Sequence, residues 1–187
     1  MLPIHGTFAG LMAERLGVSE AEILHVLGKP ENDMWDMDEL SDDEFFNFLL
    51  AELDLPITLK AVLEKFVVDD FYVDPEMLAY IRTLQKTYKT ALLTNFPSHV
   101  HDFMQTAWRV DGAFDHIFAS CDVKLIKPDP KIYHLALQRL DCQPEEVVFV
   151  DDRPINVQAA EALGIIGIVY HSQNQVMSDF KKILTAN

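Results

Sequence analysis

The sequence predicts an α/β protein with a three-layer, Rossmann-like parallel sheet core and a small all-helical cap. Over residues 73–187, short apolar runs alternate with segments of helical periodicity, which is the pattern of β–α units joined by right-handed crossovers. Residues 8–66 show helical spacing throughout, which is typical of a small bundle. We therefore expect a helical cap with its linker at 1–72 and an α/β core at 73–187.

The first two cap helices are predicted by apolar spacing over residues 8–28, which Gly17 interrupts. Ser19 and Glu22 have the spacing of a capping box, in which the two side chains satisfy free backbone N–H groups at the start of a helix. The acidic stretch 31–39, which contains a tryptophan, is predicted to be a loop or a short turn.

A second capping box, Ser41 with Glu44, predicts the start of another helix, and helical periods continue over residues 53–66. Three aromatic residues lie close to this helix start. Because aromatic side chains are usually buried, we interpret them as core of the bundle and not as a ligand site. They are Phe45, Phe46 and Phe48.

The core is predicted to contain four strands, each a short apolar run, with helices between them. The predicted elements are helix 76–86, strand 90–93, helix 100–110, strand 116–120, helix 131–140, strand 147–150, helix 154–164 and strand 165–170. In open parallel sheets, ligands bind at the carboxyl ends of the strands. The polar residues that follow these strands are therefore the candidates for a functional site.

Three polar groups follow a strand or directly precede a helix: Thr94–Asn95, Lys127 and Asp151–Asp152. A hydroxyl and an amide can hold phosphate oxygens, and an ammonium can neutralise charge on a transferred group. Adjacent carboxylates repel each other unless a cation or hydrogen-bond donors compensate them, and Mg²⁺ takes oxygen ligands. Each group also has a structural alternative: a turn, a solvated lysine, and aspartates that only cap the following helix.

In this order and context, the three groups resemble motifs of the haloacid dehalogenase superfamily, and the resemblance covers nearly the whole chain. Residues 91–95 (ALLTN) resemble its second motif, 127–133 (KPDPKIY) its third, and 147–159, with the aspartate pair, its fourth. The helical segment 8–66 resembles the family's small cap. The aspartate pair is similar to the Mg²⁺-dependent phosphatase branch, including the phosphatase domain attached to epoxide hydrolases. True dehalogenases use a different fourth motif and no metal.

The resemblance implies a Mg²⁺-dependent phosphatase that acts on a small phosphorylated metabolite through an aspartyl phosphate. It also implies the residues of the site. Those are Thr94 and Asn95 for the phosphoryl group, Lys127 for its charge, Asp152 and Asp151 for Mg²⁺, and Asn156 in support.

The family's first motif, a buried strand that ends in Asp-x-Asp and supplies the nucleophile, has no counterpart, because the first aspartate of the sequence is Asp33. Segment 66–74 places apolar residues before Asp69, but the residue two positions later is Phe71, so it lacks the required spacing. We therefore expect the chain as written to be inactive. We also expect a gap between the strands of the second and fourth motifs, with two unpaired edges.

Three hypotheses follow from the missing motif. In the first, the natural protein is a Mg²⁺-dependent phosphatase whose first strand is encoded upstream of Met1, since the other three groups are intact. In the second, the protein is a non-catalytic member that binds a phosphorylated ligand or a partner protein. In the third, the open sheet accepts a strand from another copy or from a partner.

Composition and net charge limit the expected binding partners and the expected cellular location. A formal net charge of −15 over 187 residues argues against nucleic acid and anionic membrane surfaces, and no apolar run approaches the roughly 20 residues of a membrane span. Two isolated cysteines, Cys121 and Cys142, and the lack of a signal-peptide pattern predict a cytoplasmic location. The sequence leaves a homo-oligomer open. It assigns no role to Trp35. It also assigns none to His5, and we interpret His5 as a surface residue.

Overall fold

The computed structural model describes residues 7–69, 74–106, 109–110 and 112–185, with backbone alone at 67–69. The α-helices are α1 (Phe8–Leu16), α2 (Glu20–Leu27), α3 (Pro30–Asp36), α4 (Asp42–Glu52), α5 (Lys60–Asp69), α6 (Pro75–Leu84), α7 (Val100–Gln105), α8 (Ser120–Val123), α9 (Pro130–Leu140), α10 (Pro154–Glu161) and α11 (Gln173–Thr185). The strands are β1 (Ala91–Thr94), β2 (His116–Ala119), β3 (Val148–Asp151) and β4 (Ile166–Val169). Two 3₁₀ turns lie at Ile57–Leu59 and Pro144–Glu146.

Three predicted boundaries of the N-terminal helices are confirmed. Helix α1 ends at Gly17, which adopts the left-handed conformation with φ 72° that glycine reaches without steric cost. Both predicted capping boxes are formed, Ser19 with Glu22 before α2 and Ser41 with Glu44 before α4. Local sequence signals therefore determine where these helices begin.

The prediction of a loop over the acidic stretch 31–39 is wrong, because Pro30–Asp36 forms helix α3. A proline at the first helical position and acidic residues in the first turn both favour a helix start. Trp35 is buried and stacks on Phe45 with ring centroids 4.3 Å apart, and its Nε1 donates to Asp42 Oδ1 at 2.7 Å. This packing is a long-range contribution that the local sequence does not reveal.

Three other boundaries differ from the predictions. The helix predicted from residue 53 starts only at Lys60, after a 3₁₀ turn, and the helix predicted for 100–110 ends at Gln105. Helix α11 was not predicted at all. In the 66–74 segment, the backbone of Asp69 ends α5, while Asp70–Val73, like His5, lie outside the described residues.

The predicted parallel α/β core is confirmed, and its strands form two separate pairs within the described parts of the chain. Strand β1 pairs with β2 in parallel, with Ala91 opposite His116, and β3 pairs with β4, with Val148 opposite Ile166. Among the residues described, no backbone ladder joins β1 to β3. This arrangement agrees with the gap expected between the strands of the second and fourth motifs.

The cap helices and the α/β part share one hydrophobic cluster. It contains Trp35, Phe45 and Phe46 from the cap region together with Leu92 from β1 and Phe96 from the loop after it. A second cluster lies between α9, α10 and the strands. No helix within the described ranges is long and apolar enough to cross a bilayer.

Gly167 in β4 lies against helix α10, and a side chain there would clash. A Cβ at this position would lie 2.5 Å from Val157 Cγ1, so a Gly167→Ala change should lower the free energy of unfolding by about 1–3 kcal/mol through overpacking. Urea unfolding measures this loss. The control is Gly28→Ala, whose Cβ would meet no atom closer than 3.4 Å. Equal losses in both variants would contradict the packing described.

Candidate active site

The centre of the site is the side chain of Lys127, which precedes α9 and is only 1% exposed. Its Nζ donates to Leu93 O at 2.9 Å and to Asp151 Oδ2 at 2.7 Å. Leu93 belongs to β1 and Asp151 ends β3, so the ammonium joins the two strand pairs. Within the described residues, two of the three N–H donors of the ammonium are used in this way, which leaves one for a further acceptor.

The Leu93 carbonyl lies on the side of β1 that faces away from β2. On the side facing β2, Thr90 O accepts a hydrogen bond at 2.9 Å from the backbone N of Asp115, the residue directly before β2. Backbone groups of a strand point alternately to its two sides, so the carbonyl of Leu93, three residues later, has the opposite direction. Lys127 thus bonds to the open edge of β1, where a further strand would otherwise pair.

Asn95 fixes the backbone of Lys127 from the end of β1. Its Nδ2 donates to Lys127 O at 3.0 Å, and its Oδ1 accepts from Lys127 N at 2.9 Å. The amide is used at both ends, as its planar donor and acceptor geometry permits. This reciprocal pair holds the second and third predicted motifs against each other and sets the position from which the ammonium reaches Asp151.

Asp151 is fully buried, and both of its carboxylate oxygens accept hydrogen bonds. Besides the bond from Lys127 to Oδ2, Oδ1 accepts from Arg153 N at 2.9 Å and from Asn156 Nδ2 at 3.0 Å. Burial alone would raise the pKa of Asp151, but the Lys127 ammonium and the Arg153 N–H hold it below its usual range. Asn156 is positioned in turn by Tyr133, whose hydroxyl donates to Asn156 O at 2.8 Å.

Asp152 has a different environment from its neighbour. Its Oδ1 is buried and, among the residues that the structure describes, finds no hydrogen-bond donor. Burial, and then the adjacent Asp151 carboxylate, raise the pKa of Asp152 above its usual range. A buried carboxylate oxygen without a donor is unfavourable, and a divalent cation would satisfy it. The donor set at this strand end therefore fits a hard cation such as Mg²⁺.

The structure brings most of the predicted site residues together at the carboxyl ends of β1 and β3. Lys127, Asp151, Asn156 and Asn95 are joined by direct hydrogen bonds. Thr94 ends β1 next to Leu93 and is buried. Asp152 directly follows Asp151 at the end of β3. Their roles in binding phosphate and metal stay predictions.

One acidic residue at this site was missed by the sequence analysis, namely Asp36 at the end of α3. Burial raises the pKa of Asp36 to about 7, and the charge of Asp33 adds to this, whereas Lys127 and Arg153 oppose it. Ser120 Oγ donates to Asp36 O and so anchors this end of α3 to the start of α8. The cap thus contributes a carboxyl within electrostatic reach of Lys127. No local sequence signal distinguishes it from the other acids of its stretch.

Known proteins share both the sequence pattern and the fold. A model of the haloacid dehalogenase-like hydrolase family matches residues 7–164. The chain belongs to this family. It is similar to Bifunctional epoxide hydrolase 2 of Mus musculus, 31% identical over 113 residues that make up 58% of this chain and 20% of that protein. The chain thus spans about a fifth of the length of this relative.

A second similar protein is the Phosphorylated carbohydrates phosphatase of Thermotoga maritima, 37% identical over 115 residues, 59% of this chain and 50% of that protein. Among solved structures, a predicted HAD-like family hydrolase from Porphyromonas gingivalis superposes with a TM-score of 0.73 at 24% identity and covers 97% of this chain and 92% of its own. A HAD family enzyme from Bacteroides thetaiotaomicron, in complex with magnesium and inorganic phosphate, gives a TM-score of 0.65 at 16% identity. The match covers 92% of this chain and 90% of that chain. At these identities the two structures support the fold alone.

Proposed function

We propose that this haloacid dehalogenase-like hydrolase is a Mg²⁺-dependent phosphatase for a small phosphorylated metabolite. The observation that carries the proposal is the contrast within the aspartate pair. Asp151 is paired with Lys127 and accepts from two further donors, whereas the buried Oδ1 of Asp152 accepts no hydrogen bond within the described parts of the chain. Opposite pKa displacements of neighbouring carboxyl groups are typical of functional sites.

In this proposal Asp152 is the principal protein ligand of Mg²⁺, with Asp151 behind it as a supporting carboxylate. When bound, the cation would neutralise negative charge on phosphoryl oxygens and help to orient them. Asn156 and the Arg153 amide keep Asp151 in place. The Bacteroides thetaiotaomicron enzyme, which shares the fold, was solved with magnesium and inorganic phosphate, and this precedent motivates the two ligands chosen for the test below.

The phosphoryl group would lie between the ends of β1 and β3. The Thr94 hydroxyl would donate to one of its oxygens, and the remaining N–H of Lys127 would meet another. Asn95 would act by fixing the Lys127 backbone through its two hydrogen bonds. A cytoplasmic metabolite is our proposed substrate class, and the name of the Thermotoga maritima relative, a phosphatase of phosphorylated carbohydrates, supports a small sugar phosphate.

An aspartyl-phosphate mechanism also needs a nucleophilic carboxylate, and the sequence has no aspartate before Asp33. We therefore propose that this chain binds phosphate and Mg²⁺ together, and that turnover requires an additional carboxylate at the open edge of β1. The binding step tests the site without depending on the chemical step.

The test is calorimetric titration of the purified chain with inorganic phosphate, with and without Mg²⁺. We expect Mg²⁺ to strengthen phosphate binding, and we expect Asp152→Asn to weaken Mg²⁺ binding by at least about tenfold, the lower bound found even for the loss of a residue that only supports a ligand. The matched control is Asp141→Asn, a change of the same type at an exposed residue. Phosphate affinity that does not respond to Mg²⁺ would contradict the proposal.

A release assay with p-nitrophenyl phosphate separates the catalytic hypothesis from simple ligand binding. Without a nucleophile at the site, we expect binding but no Mg²⁺-dependent release of nitrophenol. Mg²⁺-dependent release that disappears in Lys127→Ala would rule out simple ligand binding, provided that the variant is still folded by circular dichroism. Absence of both binding and release would overturn the assignment of this site.

A further inference from the structure

A second group of metal-ligating side chains lies at the end of β2, apart from the aspartate pair. His101 projects from α7, and Cys121 and Asp122 belong to α8, which directly follows β2. The imidazole nitrogen, the sulfur and a carboxylate oxygen all lie within 4.8 Å of one another. His101 Nε2 is 3.0 Å from Asp122 Oδ1, and Cys121 Sγ is 3.8 Å from the same oxygen.

We propose that His101, Cys121 and Asp122 form a binding site for a transition-metal dication of the Zn²⁺ class. Nitrogen, sulfur and carboxylate oxygen are the three ligand types of zinc sites, and a thiolate with an imidazole discriminates against Mg²⁺. Thiolate and carboxylate together carry two negative charges, which balance one dication. The site has three protein ligands and leaves a fourth position open.

Two of the three ligand-to-ligand distances, both measured from Asp122 Oδ1, are close to those that tetrahedral coordination requires, and the third, between His101 and Cys121, is at most 4.8 Å. Zn–N, Zn–O and Zn–S bonds of normal length place the ligand atoms about 3.4–3.6 Å from one another. The histidine–aspartate separation of 3.0 Å would open slightly, and the cysteine–aspartate separation of 3.8 Å would shorten slightly. The side chains of His101 and Asp122 are 45% and 50% exposed, so both can adjust by rotation.

The buried member of the group is Cys121, which is only 5% exposed. Burial raises the pKa of the Cys121 thiol to about 11, and the carboxylates of Asp122 and Asp38 add to this effect, while Lys124 opposes it. A thiol in this setting is a poor free nucleophile. A bound dication would supply the missing positive charge, and the thiol would lose its proton to solvent on binding.

Such a site would join two segments that carry the candidate active site. Helix α7 follows the loop that begins at Asn95, and α8 begins at Ser120, whose hydroxyl bonds to the backbone oxygen of Asp36. A metal at His101, Cys121 and Asp122 would therefore tie the connection after β1 to the connection after β2. We expect it to stabilise the fold rather than to take part in phosphate chemistry.

The experiment uses Co²⁺ as the probe, because its thiolate complexes absorb in the near ultraviolet. The full chain, without an affinity tag, is titrated with Co²⁺ in the presence of excess Mg²⁺. We expect one equivalent to produce a thiolate-to-cobalt charge-transfer band, and Zn²⁺ to displace it. Asp152→Asn should leave the band unchanged, which separates this site from the proposed Mg²⁺ site.

Variants identify the ligands. Cys121→Ser should abolish the charge-transfer band, whereas Cys142→Ser, at the other free cysteine, should retain it. His101→Ala and Asp122→Asn change partly exposed side chains, so they test the site even if the buried Cys121→Ser variant fails to fold. Each should weaken Co²⁺ binding by at least about tenfold, whereas His134→Ala, at an exposed histidine, should not. No band in the parent chain, or a band that survives His101→Ala and Asp122→Asn unweakened, would overturn the proposal.

Discussion

Replacing Lys127 by alanine is expected to lower the free energy of unfolding by about 3–5 kcal/mol, because it leaves a buried carboxylate without its counter-ion. Lys127 and Asp151 are 1% and 0% exposed, and 2.7 Å separates their charged atoms. The change also removes the donor to Leu93 O, at 2.9 Å, on the open edge of β1. Chemical denaturation at neutral pH measures the loss.

Two further variants test the cause of that loss. Lys131→Ala removes a lysine whose side chain is 75% exposed and lies 3.9 Å from Asp129, and such surface pairs contribute roughly 0–1 kcal/mol. The double variant Lys127→Ala with Asp151→Asn removes both charges. Its loss of stability should therefore be smaller than the sum of the losses in the single variants Lys127→Ala and Asp151→Asn. Additive losses would mean that the ion pair is not what holds the two strand pairs together.

Asp36→Asn is expected to stabilise the protein above pH 7 and to have little effect near pH 4. Burial raises the pKa of Asp36 from 3.8 to about 7 in the folded state. Between these values the folded state holds a proton that the unfolded chain has released, so stability falls as pH rises through this window. Above pH 7 the folded state carries the full cost of the buried charge. This rise in the pKa corresponds to roughly 2–4 kcal/mol of folding free energy that the parent protein loses above pH 7 and that Asp36→Asn should recover.

Urea unfolding at several pH values measures this profile for Asp36→Asn and for the parent chain. The variant should show a gain that grows from about pH 4 to pH 7 and is constant above it. Asp54→Asn removes the same charge at an exposed position and should give no such profile. If Asp36→Asn destabilised the protein at pH 8, the carboxylate would have to be held by partners stronger than Lys127 and Arg153.

The positions of several candidate site residues could be predicted because the relevant signals are local. A short apolar run followed by polar residues marks the carboxyl end of a buried strand, and such ends meet at one edge of a parallel sheet. This reasoning placed Asn95 and Asp151 in one neighbourhood, with Lys127 before the next helix, and the family resemblance added Asn156; the hydrogen bonds of the structure join all four. The capping boxes before α2 and α4 were predicted for the same reason.

The difference between Asp151 and Asp152 could not be predicted, since two adjacent aspartates look alike in a sequence. Successive side chains at a strand end point to opposite faces, so one carboxylate meets Lys127 and the other does not. Asp36 was missed because its environment depends on Lys127 and Arg153, about 90 and 120 positions further along the chain. The helix over its segment had local signals, a proline at the first position and acidic residues in the first turn, which the prediction of a loop did not use. The contact of Trp35 with Phe96 adds a long-range contribution.

The packing between the cap helices and the α/β part limits how a ligand can reach the site. Trp35 lies against Phe96 with ring centroids 6.2 Å apart, Ser98 N donates to Asp38 Oδ1 at 2.9 Å, and Lys124 donates to the backbone oxygen of Met37. A lid that swung outward as a rigid body would break all of these contacts at once. We therefore expect amide hydrogen exchange in α3 to report global unfolding rather than local opening, and ligand entry to depend on movements of side chains rather than of whole helices.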